Sequence, residues 1–349
     1  MREKGRRKRT LTWIALFLLF IVLAVMFARF GGEVLGIIAH IRPEYFALAL
    51  ACHIGVQLSW AIKYHLLVKR RVPGAYFPYV ALANMYGNFV NITTPSGRVA
   101  GEPLRARAIA KRYHARFSTV FAATMMDKMT LTITQIVVLI PLSIYMTYEF
   151  DMPRIVEYFL GAFILFWTGV GIISYYLFKG MGEGRSRKIG GLIYRISKFI
   201  LRGKYRDRGF FVEKVRSGIM EFKSSFKVLS RKPLFMLLDL ILGISMYAFR
   251  FSAAYMFFLA VGHSQPFLTV STVVMIAFLV GLMSQLPGMV GIAESSLTGL
   301  YLATGVPVSI ALTVSILSQM NVYVFEIGLG YLSMIILNIL SGKRGRSAS

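Results

Sequence analysis

The chain has 349 residues, of which 56% are hydrophobic, and it carries 40 Lys and Arg against 15 Asp and Glu. Its mean hydropathy of +0.63 and its apolar share exceed the roughly 45–50% apolar content of soluble domains. These values exclude an ordinary soluble domain and predict an all-α, polytopic membrane helical bundle. The net charge of +25 falls on the termini and between apolar segments, so we interpret it as a signal of orientation and expect no nucleic-acid partner.

The basic segments divide the chain into two tails and one membrane domain. Residues 1–10 form a basic tail, 11–340 form a single transmembrane domain, and 341–349 form a second basic tail. Within the domain, 179–232 is a long polar loop whose apolar residues recur at helical spacing. This pattern predicts basic amphipathic helices on an anionic membrane surface, with a protein-docking hairpin as the alternative.

The first apolar segments predict membrane-crossing helices. Residues 11–28 carry no charge and follow a basic tail, which predicts an uncleaved first span. A second span is predicted at about 45–62, ending at a basic turn over 63–74. Because basic loops stay in the cytoplasm, the N-terminal tail and this turn are expected on the same side.

A re-entrant hairpin is predicted after this turn, because basic residues precede and follow the segment 76–94. The segment contains Asn91 and Thr94 and is broken by Pro95 and Gly97. Irregular backbone at membrane depth needs polar partners, which Asn and Thr side chains provide.

Three charged residues follow the break. Arg98, Glu102 and Arg105 share one helix face through i, i+4 and i, i+3 spacing. Charges within a membrane are costly and mark functional sites, so these residues are candidates for holding a lipid headgroup. The alternative is a buried pair of Arg98 and Glu102 that stabilises a bent helix.

The next apolar segment, 117–148, is too long for one straight span and contains Asp127 and Lys128. We predict a short helix to residue 126 and a crossing from about 129. Asp127 and Lys128 are candidate cavity residues, with a structural role as the alternative.

A later crossing, predicted over 234–261, carries Asp239 and Arg250. They are 11 residues apart, almost three helical turns, and are therefore expected on one face. They are candidate cavity residues on the same grounds, and a structural role is again the alternative.

A second helix break lies at Pro287 and Gly288, followed by Gly291 and Glu294. In both copies a glutamate stands seven positions after the proline, which indicates a pseudo-symmetric site. A cytoplasmic C-terminal tail requires this hairpin to be re-entrant from outside. Two oppositely oriented hairpins with broken helices predict an inverted-repeat-like transporter, whose helix ends point at an anionic substrate.

Catalytic and metal-binding patterns are not found in the sequence. The five His residues form no metal motif, and there is no P-loop and no nucleophile elbow. We therefore expect no catalytic residues, no metal and no cofactor.

At these motifs the chain resembles the lysylphosphatidylglycerol synthase transmembrane-region family. The resemblance rests on residues 88–102 with Arg105, on the pair Asp127 and Lys128, and on residues 286–294. The sequence departs from the family at Lys128, where an Arg is usual, and at 319–320, where an Arg is often found. The resemblance implies the lipid-translocating part of such proteins without a soluble aminoacyl-transferase domain.

We therefore expect a flippase-like transporter that moves or binds an anionic phospholipid or a lipid-linked sugar between leaflets. A membrane-embedded glycosyl- or aminoacyl-transferase and a scaffold for such an enzyme are the alternatives. The expected partners are membrane lipids, a lipid-modifying enzyme and a second copy of the chain. The expected location is the cell membrane, with both termini in the cytoplasm.

Overall fold

The computed structural model describes residues 32–94, 99–149, 208–230, 232–283 and 291–346, with a few isolated positions between 161 and 191. Outside the described residues lie the predicted first span and five of the candidate site residues: Pro95, Gly97, Arg98, Pro287 and Gly288. The described segments are helical apart from short turns, which confirms the predicted all-α helical bundle.

The described helices are labelled in chain order. They are α1 Pro43–Lys69, α2 Phe77–Thr93, α3 Gly101–Arg112, α4 Phe117–Glu149, α5 Arg208–Ser230, α6 Pro233–Ala260, α7 Phe267–Met283, α8 Ile292–Ala303, α9 Val308–Val322 and α10 Leu329–Arg346. A π-helical segment, Tyr323–Gly328, joins α9 to α10 in one long helix. Among the described helices, α1, α4, α6 and the stretch Val308–Leu340 are long and apolar enough to cross a membrane.

Two predicted boundaries are wrong. The second span does not end at residue 62, because α1 continues to Lys69 and buries the side chain of Lys63 completely. The predicted break at Asp127 and Lys128 does not exist, because α4 is one helix of 33 residues. Both residues tolerate helical geometry, and Asp127 finds cations on neighbouring helices, so neither needs an interruption of the helix.

The chain contains an internal structural repeat. Helices α1 to α4 have 27, 17, 12 and 33 residues, and α6, α7, α8 and Val308–Leu340 have 28, 17, 12 and 33. Matching helices begin 190 or 191 residues apart throughout. Each half is therefore a long helix, a hairpin of two short helices and a second long helix.

The two halves are inverted relative to each other. The leading helices α1 and α6 pack antiparallel along their whole length: the Arg42 N–H donates to the Ala260 carbonyl at 2.9 Å, and Ser245 donates to Ser59 at 3.3 Å. Each hairpin also packs on the other half: Asn88 of α2 donates to Glu326 at 3.1 Å, and the hydroxyl groups of Tyr145 of α4 and Thr269 of α7 lie 3.0 Å apart. An inverted-repeat arrangement follows from these contacts.

The hydrophobic cores repeat in the same register. One core lies among α1 to α4 and another among α6 to α9, and many buried positions differ by 190 or 191 residues. The matched pairs are Tyr64/Ala254, Leu67/Phe257, Val68/Phe258, Val80/Val270, Ala83/Val273, Ala106/Leu297, Ala110/Tyr301, Val120/Ala311, Ala123/Val314 and Met126/Leu317. Equivalent backbones are therefore packed with different side-chain volumes.

The first hairpin closes through a contact between glycines. A Cβ built on Gly101 would overlap with the carbonyl oxygen of Gly87, so α2 and α3 approach too closely for any side chain there. The Gly101 N–H donates to Asn91 Oδ1 at 2.7 Å, which satisfies one of the free donors at the start of α3.

Helix α5 is the described part of the predicted amphipathic loop, and it docks on the start of α4. Glu221 accepts hydrogen bonds from Ser118 and Thr119, both at 2.7 Å, and the Phe222 ring lies 6.2 Å from that of Phe121. Arg71, just beyond α1, donates to Ser225 at 3.0 Å. These contacts place a basic helix at the end of the bundle where α1 ends and α6 begins.

Replacing Gly101 with alanine should destabilise the protein by roughly 1–3 kcal/mol, because the new methyl group forces the two hairpin helices apart. Gly299→Ala is the matched control, since a Cβ there meets nothing within 4 Å and alanine favours the helix. Thermal unfolding in detergent should show a lower Tm for the first variant only. Equal Tm values would contradict the close approach of α2 and α3.

Docking of α5 should weaken in acid. Partial burial alone would raise the pKa of Glu221, but hydrogen bonds from Thr119 and Ser118 and the charge of Arg116 outweigh it, so this pKa lies below its usual value. A lowered pKa gives stability above the unfolded-state value that is lost as the pH falls through the folded-state value. Hydrogen exchange of α5 should therefore speed up, relative to the rest of the chain, on acidification below about pH 4. The variant Glu221→Gln should lose this dependence, and retention of it would refute the assignment.

Candidate functional site

Six charged side chains form a buried group that we call the ionic cluster. It contains three cations and three carboxylates: Lys63, Glu102, Arg105, Asp127, Lys128 and Asp239. Five of them are at most 2% exposed, and Lys128 is 36% exposed. The cluster is neutral as a whole, which is the condition under which charges are tolerated away from water.

Lys63 of α1 links two other long helices. Its Nζ lies 2.8 Å from Asp127 Oδ1 of α4 and 3.1 Å from Asp239 Oδ2 of α6, and it donates to Thr130 at 2.7 Å. One ammonium group thus joins three helices that are long enough to span a membrane. Trp60, one turn earlier, donates to the other oxygen of Asp127 at 3.3 Å.

Arg105 attaches the hairpin helix α3 to the same centre. Its Nη2 lies 2.9 Å from Asp127 Oδ2 and 2.5 Å from Glu102 Oε2, and its Nη1 donates to Asn84 of α2. The guanidinium also lies over the Tyr64 ring, 4.2 Å from its centroid. A planar fork of donors can make all of these contacts at once, which a lysine could not.

Glu102 completes the cluster at the break in the first hairpin. It accepts hydrogen bonds from Lys128 Nζ at 2.9 Å and from Asn91 Nδ2 at 3.1 Å. Asn91 meanwhile receives the Gly101 N–H, so this one amide joins the end of α2 to the start of α3. The ionic cluster therefore fixes the geometry of the first hairpin.

A cavity of about 90 Å³ lies among α6, α7, α8 and α9, beside α1. A single water needs roughly 10–15 Å³, so the space accommodates a polar group of several heavy atoms. It is lined by His53, Ile92, Arg250, Ala253, Ala254, Phe257, Val274, Ala277, Phe278, Ala293, Leu297, Ser318, Gln319, Asn321, Val322 and Glu326.

One loose ion pair lies in the wall of this cavity. Arg250 Nη2 lies 3.7 Å from Glu326 Oε1, beyond hydrogen-bond distance, and the guanidinium sits 4.9 Å from the centroid of the Phe278 ring. Glu326 is held by Asn88 Nδ2 at 3.1 Å and belongs to the π-helical segment. Arg250 can therefore offer donors to a ligand.

Three buried polar atoms in the cavity wall have no hydrogen-bond partner among the described residues. They are His53 Nε2, Ser318 Oγ and Asn321 Oδ1. Buried polar groups are nearly always paired in proteins, so three unpaired ones around one cavity indicate a place where another polar group binds.

Glu294 serves the end of its own helix. Its Oε2 accepts the Gly291 N–H at 2.7 Å, and its Oε1 accepts the Tyr323 hydroxyl at 2.8 Å. Gly291 has φ of 82°, a left-handed conformation that favours glycine. The residue equivalent to Glu102 by helix register is Ala293, so the two glutamates of the paired motif are one position out of step.

The structure distributes the candidate residues over four places. The ionic cluster contains Glu102, Arg105, Asp127, Lys128 and Asp239, and Asn91 is hydrogen-bonded to it. Arg250 lines the cavity instead, Gly291 and Glu294 form the start of α8, and Thr94 donates to the Val90 carbonyl at 2.6 Å. Asp239 and Arg250 therefore belong to different sites, although they lie on one helix.

Sequence reasoning missed Lys63, His53 and Asn321 as site residues. Lys63 was assigned to a basic turn, although the apolar residues after it, through Val68, continue the helix and signal burial. His53 and Asn321 lie within apolar helices without a motif around them. Only the repeat register identifies Asn321, because it corresponds to Thr130 of the ionic cluster.

The fold and these sites define a polytopic helical membrane protein with an inverted repeat, a buried ionic cluster and a cavity lined by both apolar and polar side chains. The chain belongs to the lysylphosphatidylglycerol synthase TM region family, which it matches over residues 12–330.

Archaeal proteins are similar over nearly the whole length. A UPF0104 membrane protein of Methanocaldococcus jannaschii is 26% identical over 346 residues, covering 97% of this chain and 99% of that protein. A UPF0104 membrane protein of Methanothermobacter thermautotrophicus is 23% identical, covering 95% and 94%, and one of Pyrococcus horikoshii is 25% identical, covering 79% and 82%. The names of these relatives state a membrane protein and no activity.

Replacing Lys63 with methionine should destabilise the protein by about 3–5 kcal/mol, because it leaves Asp127 and Asp239 buried without their cation. Lys69→Met, in the exposed last turn of the same helix, is the matched control and should have little effect. Unfolding in detergent measures both. Similar stability of the two variants would show that the cluster does not hold the helices together.

Proposed function

We propose that this protein transports or binds a lipid in the membrane, in the manner of a flippase, with the lipid headgroup in the cavity. The observation that carries the proposal is the cavity itself, a space with mostly apolar walls that also contains the Arg250–Glu326 pair and four further polar side chains. Its one arginine is held by a loose ion pair, and three of its polar atoms lack partners. An anionic phospholipid or a lipid-linked sugar is the substrate class that such a space fits.

The inverted repeat supports transport over static binding. In transporters of this architecture, substrate sites lie near the membrane midplane at broken helices, and one repeat moves against the other. Here each hairpin consists of one helix of 17 residues and one of 12 residues. Neither helix reaches the roughly 20 residues that a membrane crossing needs.

The distribution of basic residues supports a cytoplasmic location of both termini in the cell membrane. Arg70, Arg71 and Lys232 lie at the bundle end where α5 docks, and α5 is itself basic. With this end in the cytoplasm, the ionic cluster lies toward the cytoplasmic side, since Lys63 and Asp239 are near that end of α1 and α6. Anionic lipids gather at such a surface.

Leaflet exchange in proteoliposomes tests the proposal. Tail-labelled phospholipids with native headgroups are reconstituted with the protein, and dithionite quenching reports the label that reaches the outer leaflet. Arg250→Gln should reduce exchange roughly tenfold or more, because a charged hydrogen-bond donor is lost. Arg216→Gln, in the exposed i, i+3 pair with Glu213 of α5, is the control and should leave exchange unchanged.

Two results would contradict the proposal. One is exchange no faster than in protein-free vesicles across phosphatidylglycerol, phosphatidylinositol and a lipid-linked sugar. The other is exchange that Arg250→Gln and Arg216→Gln reduce equally.

A further inference from the structure

The repeat register shows what occupies equivalent places in the two halves. Adding 190 or 191 to residues in and around the ionic cluster gives the matched pairs Lys63/Ala253, Asn84/Val274, Glu102/Ala293, Asp127/Ser318, Lys128/Gln319 and Thr130/Asn321. All six second-half residues line the cavity. The cavity therefore occupies the place in the second half that Lys63, Glu102, Asp127 and Lys128 occupy in the first half.

The second copy is empty because its side chains are smaller. A lysine, a glutamate and an aspartate of the first half are replaced by Ala253, Ala293 and Ser318. The surrounding hydrophobic cores stay in register, so the backbone does not collapse onto the vacated volume. Protein interiors are close-packed and contain few voids larger than a water molecule, so a volume of this size is unusual.

The second copy also lacks the polar partners that the first copy supplies to itself. In the first half Asp127 receives Lys63, Arg105 and Trp60, and Thr130 receives Lys63. In the second half the equivalent Ser318 Oγ and Asn321 Oδ1 are unpaired among the described residues, as is His53 Nε2.

The polar groups of the cavity wall indicate the chemistry of the ligand that would pair with them. Arg250 and the Ser318 hydroxyl offer donors, which suits phosphate oxygens. Asn321 Oδ1 is an acceptor and needs a hydroxyl or ammonium donor. A single group with both features is a phosphodiester that carries a hydroxyl or ammonium.

We infer that only one of the two repeat-related sites binds a ligand. The second-half cavity takes a phosphodiester headgroup bearing a hydrogen-bond donor, and the ionic cluster is its filled counterpart, in which the protein's own charges replace the ligand. This inference rests on the proposed function only for the lipid nature of the ligand.

Binding to the purified full-length chain tests the headgroup chemistry. The probes are short-chain phosphatidylglycerol, which has phosphate and hydroxyls, phosphatidylmethanol, which has phosphate without a donor, and diacylglycerol, which has no phosphate. In a non-ionic detergent, phosphatidylglycerol should bind roughly tenfold tighter than phosphatidylmethanol, and diacylglycerol should bind weakest, because each missing partner leaves a buried polar group unpaired. Equal binding of the three would overturn the inference.

Glycerophosphoglycerol, the same headgroup without tails, separates the two sources of this chemistry. Tight binding of this probe, equal to that of the lipid, would sink the proposed lipid function and leave the cavity's ligand chemistry standing. Binding of the lipid alone supports both. No binding by any probe would overturn the inference, whatever the transport assay shows.

A variant that rebuilds the ionic pair tests the repeat relation. Ala253→Lys combined with Ser318→Asp places the first half's Lys63–Asp127 pair in the cavity, and phosphatidylglycerol affinity should fall at least tenfold. Lys69→Met is the control and should bind as the unaltered chain does. Unchanged affinity of a folded double variant would refute the inference.

Asn321→Ala gives an independent test if the double variant does not fold. It removes the Asn321 amide, including the acceptor Oδ1, and leaves Arg250 and Ser318 in place. Phosphatidylglycerol should therefore lose its advantage over phosphatidylmethanol, while phosphatidylmethanol keeps its affinity. Persistence of the preference would contradict the assigned role of Asn321.

Discussion

The ammonium group of Lys63 lies between Asp127 and Asp239, and through them it joins α1, α4 and α6. Helices in lipid gain little from burying apolar surface against one another, so packing and polar contacts must hold them together. A charge buried with its counter-charges is also hard to separate, because each would be left unpaired in a medium without water. The arrangement of the first half, including the hairpin that Arg105 attaches, depends on this one constraint.

Both halves share one backbone arrangement but differ in the side chains at its centre. Their helices have nearly equal lengths and their cores share a register, yet one half places charges at its centre and the other small residues. The charged centre of the first half is thereby closed and is neutralised with the help of Asp239 from α6, and the second half retains a cavity with Arg250 and Glu326 in its wall. An inverted repeat can in this way be symmetric in fold and asymmetric in function.

Helix positions were predictable because apolar length and Pro-Gly breaks are local signals, and both hairpins follow from them. The ion pairs and hydrogen bonds between helices were not predictable, because they depend on which helix faces meet in the folded protein. The charge of Lys63 predicts a loop and that of Asp127 predicts a helix break, but both residues lie within continuous helices because partners on other helices neutralise them. The paired Pro-to-Glu motif predicts equivalent glutamates. Counted from the proline, however, α8 begins one residue earlier than α3, so Glu294 caps α8 while Glu102 joins the cluster.

The proposed transport between leaflets requires a movement that leaves the ionic cluster intact, since breaking the cluster in a dry environment costs several kcal/mol. Helices α1, α3, α4 and α6 are tied to that cluster and form a block. The second hairpin and the last long helix contribute no residue to this cluster, and the loose pair in the cavity wall joins Glu326 of the last long helix to Arg250 of α6. A π-helical segment interrupts the last helix at Glu326, where an altered hydrogen-bond register commonly marks a functional position. We therefore expect α7, α8 and the last long helix to move against the block of α1, α3, α4 and α6, with the π-helical segment as the point of bending.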